Sequence, residues 1–242
     1  MFNDESQSAG AGYAVRIRRT DTSEVVRLGE GDAVALSPDA TRVLADIITD
    51  PRHAVIYPIG PGEPQHLPLG PLESARGRAW FPDGRSVVVC GNERGRPYRC
   101  YQQDLAGGLP IPLAPENFDL VAVSPDGRTF ALQRSDNTKH LLGSGENTPR
   151  PLPGVSEGDN IVAWSRDARS LFVQERPFTS ARLVRVDVAT GRRTLVRDTT
   201  LPDRTGLLRY SIPSVAPDGE SYIYVYWRRI ARLFVAKPIR EE

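Results

Sequence analysis

One arrangement of apolar and polar positions recurs along the chain. Five segments carry it: Leu36-Ser37-Pro38-Asp39-Ala40-Thr41-Arg42-Val43, Trp80-Phe81-Pro82-Asp83-Gly84-Arg85-Ser86-Val87, Val123-Ser124-Pro125-Asp126-Gly127-Arg128-Thr129-Phe130, Trp164-Ser165-Arg166-Asp167-Ala168-Arg169-Ser170-Leu171 and Val215-Ala216-Pro217-Asp218-Gly219-Glu220-Ser221-Tyr222. Three positions before each aspartate stands a large apolar residue: Leu36, Trp80, Val123, Trp164 or Val215. Four and six positions after it come Val43 and Ala45, Val87 and Val89, Phe130 and Leu132, Leu171 and Val173, or Tyr222 and Tyr224. A period of two on each side of a polar break predicts a strand, a tight turn and a returning strand.

The turn chemistry accounts for the polar residues. Proline presets φ for the first corner, and an Asp carboxylate accepts backbone N–H groups inside the turn. Glycine takes the φ > 0 position that closes a right-twisted hairpin. Ala40 and Ala168 replace that glycine, so their turns are expected to carry roughly 1 kcal/mol of strain or to bend differently. Asp39, Asp83, Asp126, Asp167 and Asp218 are accordingly read as structural turn residues rather than catalytic ones.

The aspartates are 44, 43, 41 and 51 residues apart. Further short strands fit between them: Ala33–Ser37, Arg42–Ile48, Ala54–Pro58 and Gln65–Leu67 in the first repeat, and Arg78–Phe81, Ser86–Cys90, Tyr98–Gln102 and Ile111–Leu113 in the second. The fourth gives Ile161–Ser165, Ser170–Glu175, Ala181–Asp187 and Arg193–Val196; the third follows the same order, with a weaker third strand near Lys139–Leu142. Pro and Gly interrupt every candidate helix. Four antiparallel strands per repeat of this length describe a β-propeller blade. After the fifth anchor only Tyr222–Trp227 and Ala231–Ala236 fit as strands. Before the first, Tyr13–Arg19 and Glu24–Leu28 look like the last two strands of another blade, with Met1–Glu5 keeping part of the strand before them. The expectation is an all-β chain forming a single propeller domain over residues 1–242: remnant strands in 1–28, then five anchored repeats in 32–242, the last incomplete. Five anchored blades plus remnants of a sixth are favoured over a closed five-bladed ring.

Composition narrows the class. The 242 residues carry 31 Lys+Arg against 30 Asp+Glu, a formal charge of +1, which argues against a globally basic nucleic-acid binder. Only Lys139 and Lys237 are lysines, and acidic residues are interspersed with the arginines rather than segregated. A hydrophobic fraction of 39% suffices for a packed core, and Gly 21 with Pro 21 imply many turns. No apolar run approaches the roughly 18 residues of a membrane helix, and the first residues lack the basic and apolar regions of a signal peptide. The chain is therefore expected to be soluble, with an extracytoplasmic setting open if it belongs to a longer membrane-anchored protein. Cys90 and Cys100 flank a hairpin turn centred on Gly95, which sets them opposite each other. We expect them to face as unbonded thiols between neighbouring blades, because sheet geometry strains a bridge there.

The anchors resemble the TolB-like propeller repeat, whose core is Ser-Pro-Asp-Gly-Arg followed by an apolar strand. They lack the Gly-His and Trp-Asp pairing of typical WD repeats. Phe2-Asn3-Asp4-Glu5, Tyr13-Ala14-Val15-Arg16-Ile17-Arg18-Arg19-Thr20-Asp21, Val26-Arg27-Leu28-Gly29-Glu30-Gly31 and Ser221-Tyr222-Ile223-Tyr224-Val225-Tyr226-Trp227-Arg228-Arg229 are similar to the C-terminal propeller attached to some bacterial serine/threonine protein kinases. In that family a kinase domain precedes the propeller, which is taken to sense or bind something. The kinase signatures, a phosphate loop, His-Arg-Asp and Asp-Phe-Gly, do not occur in this chain.

Candidate chemistry is sparse. No Gly-x-Ser-x-Gly elbow occurs, and Gly143-Ser144-Gly145 sits in a polar loop. His53, His66 and His140 are read as lying in different repeats without paired metal-ligand spacing. No two carboxylates stand out as a glycosidase pair. Arg228, Arg229 and Arg232 with Tyr224, Tyr226 and Trp227 form the most suggestive patch, but strand alternation divides it between two faces and points to core for the aromatics. The expectation is a non-catalytic recognition or scaffold propeller without cofactor or metal, binding a protein or small ligand at one end of the ring, with self-association through open blade edges. The alternative is the non-catalytic propeller portion of a prolyl-oligopeptidase-like hydrolase, or a TolB-like periplasmic interaction protein.

Overall fold

The computed structural model describes residues 1–4, 13–19, 21–175 and 182–231. Every regular element among them is a strand, and none of their segments is a helix long and apolar enough to cross a membrane. The first sheet joins β1 (Phe2–Asp4), β2 (Ala14–Arg18) and β3 (Val25–Glu30). Four four-stranded antiparallel sheets follow in chain order. They contain β4 (Asp32–Leu36), β5 (Arg42–Ile47), β6 (His53–Pro58) and β7 (Gln65–His66); β8 (Leu72–Trp80), β9 (Ser86–Glu93), β10 (Arg99–Asp104) and β11 (Ile111–Pro112). Then come β12 (Phe118–Val123), β13 (Thr129–Arg134), β14 (Lys139–Gly143) and β15 (Arg150–Pro151), and β16 (Asn160–Trp164), β17 (Ser170–Glu175), β18 (Arg182–Asp187) and β19 (Arg193–Asp198). The fifth anchor joins β21 (Ser214–Val215) to β22 (Tyr222–Ile223), while β20 (Leu207–Tyr210) pairs with β23 (Tyr226–Arg228). This is an all-β propeller of four-stranded antiparallel sheets. The expected strand Tyr222–Trp227 is broken into β22 and β23, each with its own partner. The third repeat's weak strand is the regular β14, and the expected strand Ala231–Ala236 lies, beyond Ala231, outside the described residues.

The sheets pack face to face, so both faces of each inner strand are buried. Val87 and Val89 enter one cluster with Trp80 of their own sheet and with Leu44 and Ile56 of the preceding one. Val88 and Cys90, pointing the other way, join Phe130, Leu132 and Leu142 of the following one. The uninterrupted run Val87-Val88-Val89-Cys90 is the sequence of a strand with two interiors. Trp80 and Trp164 each donate Nε1–H to the preceding sheet, at Ala35 O (3.1 Å) and Ala122 O (3.4 Å). The residue three before the aspartate thus faces the previous blade. Leu36 is 41% exposed, against the expectation of burial, because the β1–β3 sheet before it has no inner strand to cover it among the described residues.

A feature absent from the repeat reading organises the centre. The first strand of all four complete sheets skips a residue of its register five positions before the aspartate, at Val34, Arg78, Val121 or Val162, and β8 skips a second at Glu73. A bulge bends the strand and increases its twist.

All five aspartates accept the N–H two residues on, at 2.9–3.1 Å: Thr41, Arg85, Arg128, Arg169 and Glu220. Ser37, Ser124 and Ser165 hydroxyls also donate to Asp39, Asp126 and Asp167, each at 2.6 Å. The residue after each aspartate is left-handed, with φ of 57° at Ala40, 65° at Gly84, 71° at Gly127, 56° at Ala168 and 78° at Gly219. The alanines therefore accept the strain rather than change the turn.

Cys90 and Cys100 do occupy one cross-strand pair, but they are joined as a disulfide with Cα atoms 4.0 Å apart. The expectation of free thiols is corrected: this close pairing puts the two sulfurs within bonding reach of each other.

Two outcomes test these assignments. Ala40→Gly and Ala168→Gly should each stabilise the protein in urea unfolding, by about 0.5 kcal/mol after the unfolded chain's added entropy is subtracted from the left-handed penalty. Thiol titration of denatured, unreduced protein should find no free cysteine, and Cys100→Ser should cost no more than about 3 kcal/mol, the limit for so short a loop.

Candidate functional site

Antiparallel alternation separates the two ends of the propeller. The anchor turns between first and second strands occupy one end, one to a sheet, and the fold brings none of the five aspartates together. In three of them hydrogen bonding sets the charge: the Ser37 hydroxyl and Thr41 N–H pull Asp39 down to about 2, and the corresponding serines hold Asp126 and Asp167 below the usual range. Charges of this kind are committed to their turns. The second-to-third and fourth-to-first connections lie at the opposite end, and the chemically varied residues gather there.

Counting seven positions either side of each aspartate reaches a polar layer. The cross-strand pairs are Asp32 with Asp46, Arg76 with Cys90, Asp119 with Gln133 and Asn160 with Gln174. Three bonds from this layer tie second and third strands to the next sheet. Gly77 N–H donates to Asp46 Oδ1 at 2.6 Å, Leu120 N–H to Cys100 Sγ at 3.1 Å, and Gln174 Nε2 to Ser211 O at 3.1 Å. Gly77 has to lack a side chain, since a Cβ there would lie 2.9 Å from Leu44. Asp46 is only 5% exposed, and burial raises it to about 6 despite the Gly77 bond and the nearby Arg52 and Arg78. The bulge residue Arg78 forks onto both oxygens of Asp119 at 2.7 Å and also reaches the Tyr98 hydroxyl at 2.8 Å. Asp119 lies near both cysteine sulfurs, but their mutual bond withholds the thiolates a metal would need.

At the same end the third sheet and its link to the fourth enclose an open cavity of about 770 Å³. Lys139, 5% exposed, forms its floor and donates Nζ to Asn137 O (2.8 Å) and Glu157 O (3.3 Å). Burial pushes the ammonium down while Asp159 and Glu157 hold it up. Asp159, also buried, accepts Ser156 N–H at 2.9 Å and the Arg193 guanidinium at 3.0 Å. Arg193 continues to Glu175 at 2.8 Å, and Glu175 to Arg182 at 3.0 Å. His140 lines the cavity, packs edge-on against Phe118 at 5.2 Å, and has a buried Nδ1 without a hydrogen-bond partner among the described residues. Arg134, Asp136 and Glu157 ring the mouth. The arrangement offers fixed charges of both signs and backbone acceptors to a polar ligand.

Two readings of the sequence are corrected. His53 and His66 belong to one sheet, on β6 and β7, with Nε2 and Nδ1 3.2 Å apart. The aromatics near the end of the chain are not core: Tyr224, Tyr226 and Trp227 are 36%, 43% and 41% exposed, because no described sheet covers that face. Arg209 stacks over Trp227 at 4.1 Å and Arg228 pairs with Asp203 at 3.6 Å, while Arg232 is outside the described residues. The polar layer and Lys139 were not singled out from sequence; counting from the anchors would have found the layer, since polarity returns there after an apolar run.

No protein-family model matches the chain, and no curated protein matches it in sequence. Solved structures do match. TolB from Acinetobacter baumannii superposes with a TM-score of 0.67 at 18% identity over 87% of this chain and 53% of that one. A putative TolB from Agrobacterium tumefaciens gives 0.61 at 16%, over 85% and 83%. A structure from an analysis of two prolyl endopeptidases gives 0.53 at 18%, over 91% of this chain and 36% of that one. The chain thus spans about half the length of the first of these, and at such identities the likeness is one of fold, a TolB-like β-propeller.

Asp46 generates a prediction. Its folded value exceeds that of an unfolded aspartate, so its contribution is complete below about pH 4 and lost as pH rises through about 6. Asp46→Asn keeps an acceptor for Gly77 and cannot ionise. Relative to wild type it should gain about 3 kcal/mol between pH 4 and pH 7 in urea titrations; a difference constant with pH would refute the assignment.

Proposed function

We propose that the chain is a non-catalytic recognition propeller, the sensory or protein-interaction part of a bacterial signalling protein, which takes polar peptide segments at the end opposite the anchor turns. The observation that carries this reading is the cavity over Lys139, whose charges are already held by Asn137, Glu157, Ser156 and Arg193 before any ligand arrives. Pre-organised donors and acceptors lower the ordering cost of binding. The anchor residues support a propeller, and the resemblance of both ends of the chain to kinase-attached propellers supports the signalling context. The likeness to TolB and to prolyl endopeptidases supports the alternative, a propeller that serves a hydrolase or a periplasmic assembly as a non-catalytic part.

The same reading extends to the ring. The β1–β3 sheet has three described strands and the fifth anchor a partial set, and we propose a plan of five anchored blades plus remnants of a sixth. Open blade edges there are closed by the chain's own end strands or by self-association.

Selection from a displayed peptide library should yield binders of micromolar affinity. Arg134→Ala and Glu157→Ala, both exposed at the mouth, should each weaken them about tenfold. Binders that tolerate both substitutions, or a library that yields none, would overturn the cavity as the site. Turnover of peptide or ester substrates that a single Ser or Asp substitution abolishes would instead overturn the non-catalytic reading.

A further inference from the structure

His53 stands at the start of β6 and His66 at the end of β7, where adjacent strands of one sheet reach the same end of the propeller as the polar layer. Their facing nitrogens, Nε2 of His53 and Nδ1 of His66, are 3.2 Å apart, with ring centroids 5.4 Å apart and planes tilted by 41°. Two imidazoles bound about 2.0–2.1 Å from one zinc ion have nitrogens about 3.3–3.4 Å apart at a tetrahedral angle and about 2.9 Å at a right angle. The observed separation falls between these values.

The outer partner of His53 favours the same use. Its Nδ1 lies 3.3 Å from the carbonyl oxygen of Pro51, which can only accept. A proton on Nδ1 donated to that carbonyl leaves the Nε2 lone pair facing His66, the arrangement by which backbone carbonyls orient metal-bound histidines. With His53 in this tautomer, the His66 Nδ1–H is the matching donor. Moving the His66 proton to its outward Nε2 turns both facing nitrogens into ligands, with no net change of charge. His66 is exposed and His53 half-buried, so an ion has access from solvent.

We propose that His53 and His66 form a two-imidazole site for a borderline divalent transition-metal ion, Cu²⁺, Ni²⁺ or Zn²⁺, with the remaining positions left to water or to a carboxylate from a partner. Paired neutral imidazoles suit these ions rather than Mg²⁺ or Ca²⁺, and Cu²⁺ should bind tightest. The proposal is independent of the cavity on the third sheet. Its test is a calorimetric titration of the untagged, unreduced 242-residue chain with CuCl₂ and with ZnCl₂, in a non-coordinating buffer. One ion per chain is expected, with Cu²⁺ ahead of Zn²⁺. His53→Ala and His66→Ala should each weaken binding at least about tenfold. The Cu²⁺ spectrum in electron paramagnetic resonance should show two imidazole nitrogens, falling to one in either variant. Both side chains reach solvent, and far-UV circular dichroism of each variant verifies its fold. Binding below one ion per chain, an affinity that either substitution leaves unchanged, or an imidazole signal that survives in the double variant would overturn the site.

Discussion

Burial of each sheet on both faces is the constraint from which most of this structure follows. A sheet with one wet face needs apolar residues only at alternate positions. Here Val87, Val88, Val89 and Cys90 all have to be apolar, because successive side chains enter interfaces with different neighbours. Each such side chain contributes roughly 1.5–3 kcal/mol on burial, so the interfaces, not the hairpins alone, hold the sheets together. The exceptions obey the same rule. Leu36 and the Tyr224–Trp227 segment are exposed where a neighbouring sheet face is missing among the described residues. Their exposure reports the position of a sheet in the series rather than a change in its design.

The anchor turns and the inner-strand bulges divide the work of positioning. Asp39 and its four counterparts fix where each first strand ends, by accepting the same backbone N–H in every turn. The skipped residues Val34, Arg78, Val121 and Val162 then bend each first strand at a constant distance from that turn. At the second of these positions the bulge re-aims an arginine across the interface, where it meets Asp119 with both guanidinium prongs. A repeated backbone irregularity has there become a specific polar contact between two blades.

The fold was legible because its determinants are local and repeated. An apolar residue, a corner built on aspartate and an alternating strand recur five times, and each is interpretable from its own neighbours. What escaped was set by register and by pairing in space. Cys90 and Cys100 could be placed opposite each other from turn length, but their bonding depends on a Cα approach that sequence spacing does not determine. His53 and His66 flank the third and fourth strands of one repeat, and their approach depends on the register between β6 and β7, which separation along the chain does not reveal. The bulge left no compositional mark, since valine fills three of its four positions and elsewhere reads as ordinary strand. The burial of Lys139 depends on the 152–159 connection, which is distant in the third repeat's strand pattern and supplies the Glu157 carbonyl.

The two ends of the propeller consequently have different chemistry. At the anchor end, polar groups are spent on closing turns, and the same few residue types return in each repeat. Seven positions away the scaffold still repeats but the residues vary: Asp32, Arg76, Asp119 and Asn160 hold equivalent places in successive first strands. The layer holds a buried carboxylate raised to about 6, a forked ion pair and an amide, each with its own cost of desolvation. Three of these groups also tie neighbouring sheets together, so diversity at this end is compatible with rigidity. The backbone at this end is set by the repeat while its polar side chains differ from sheet to sheet, which is the property that the recognition role proposed above draws on.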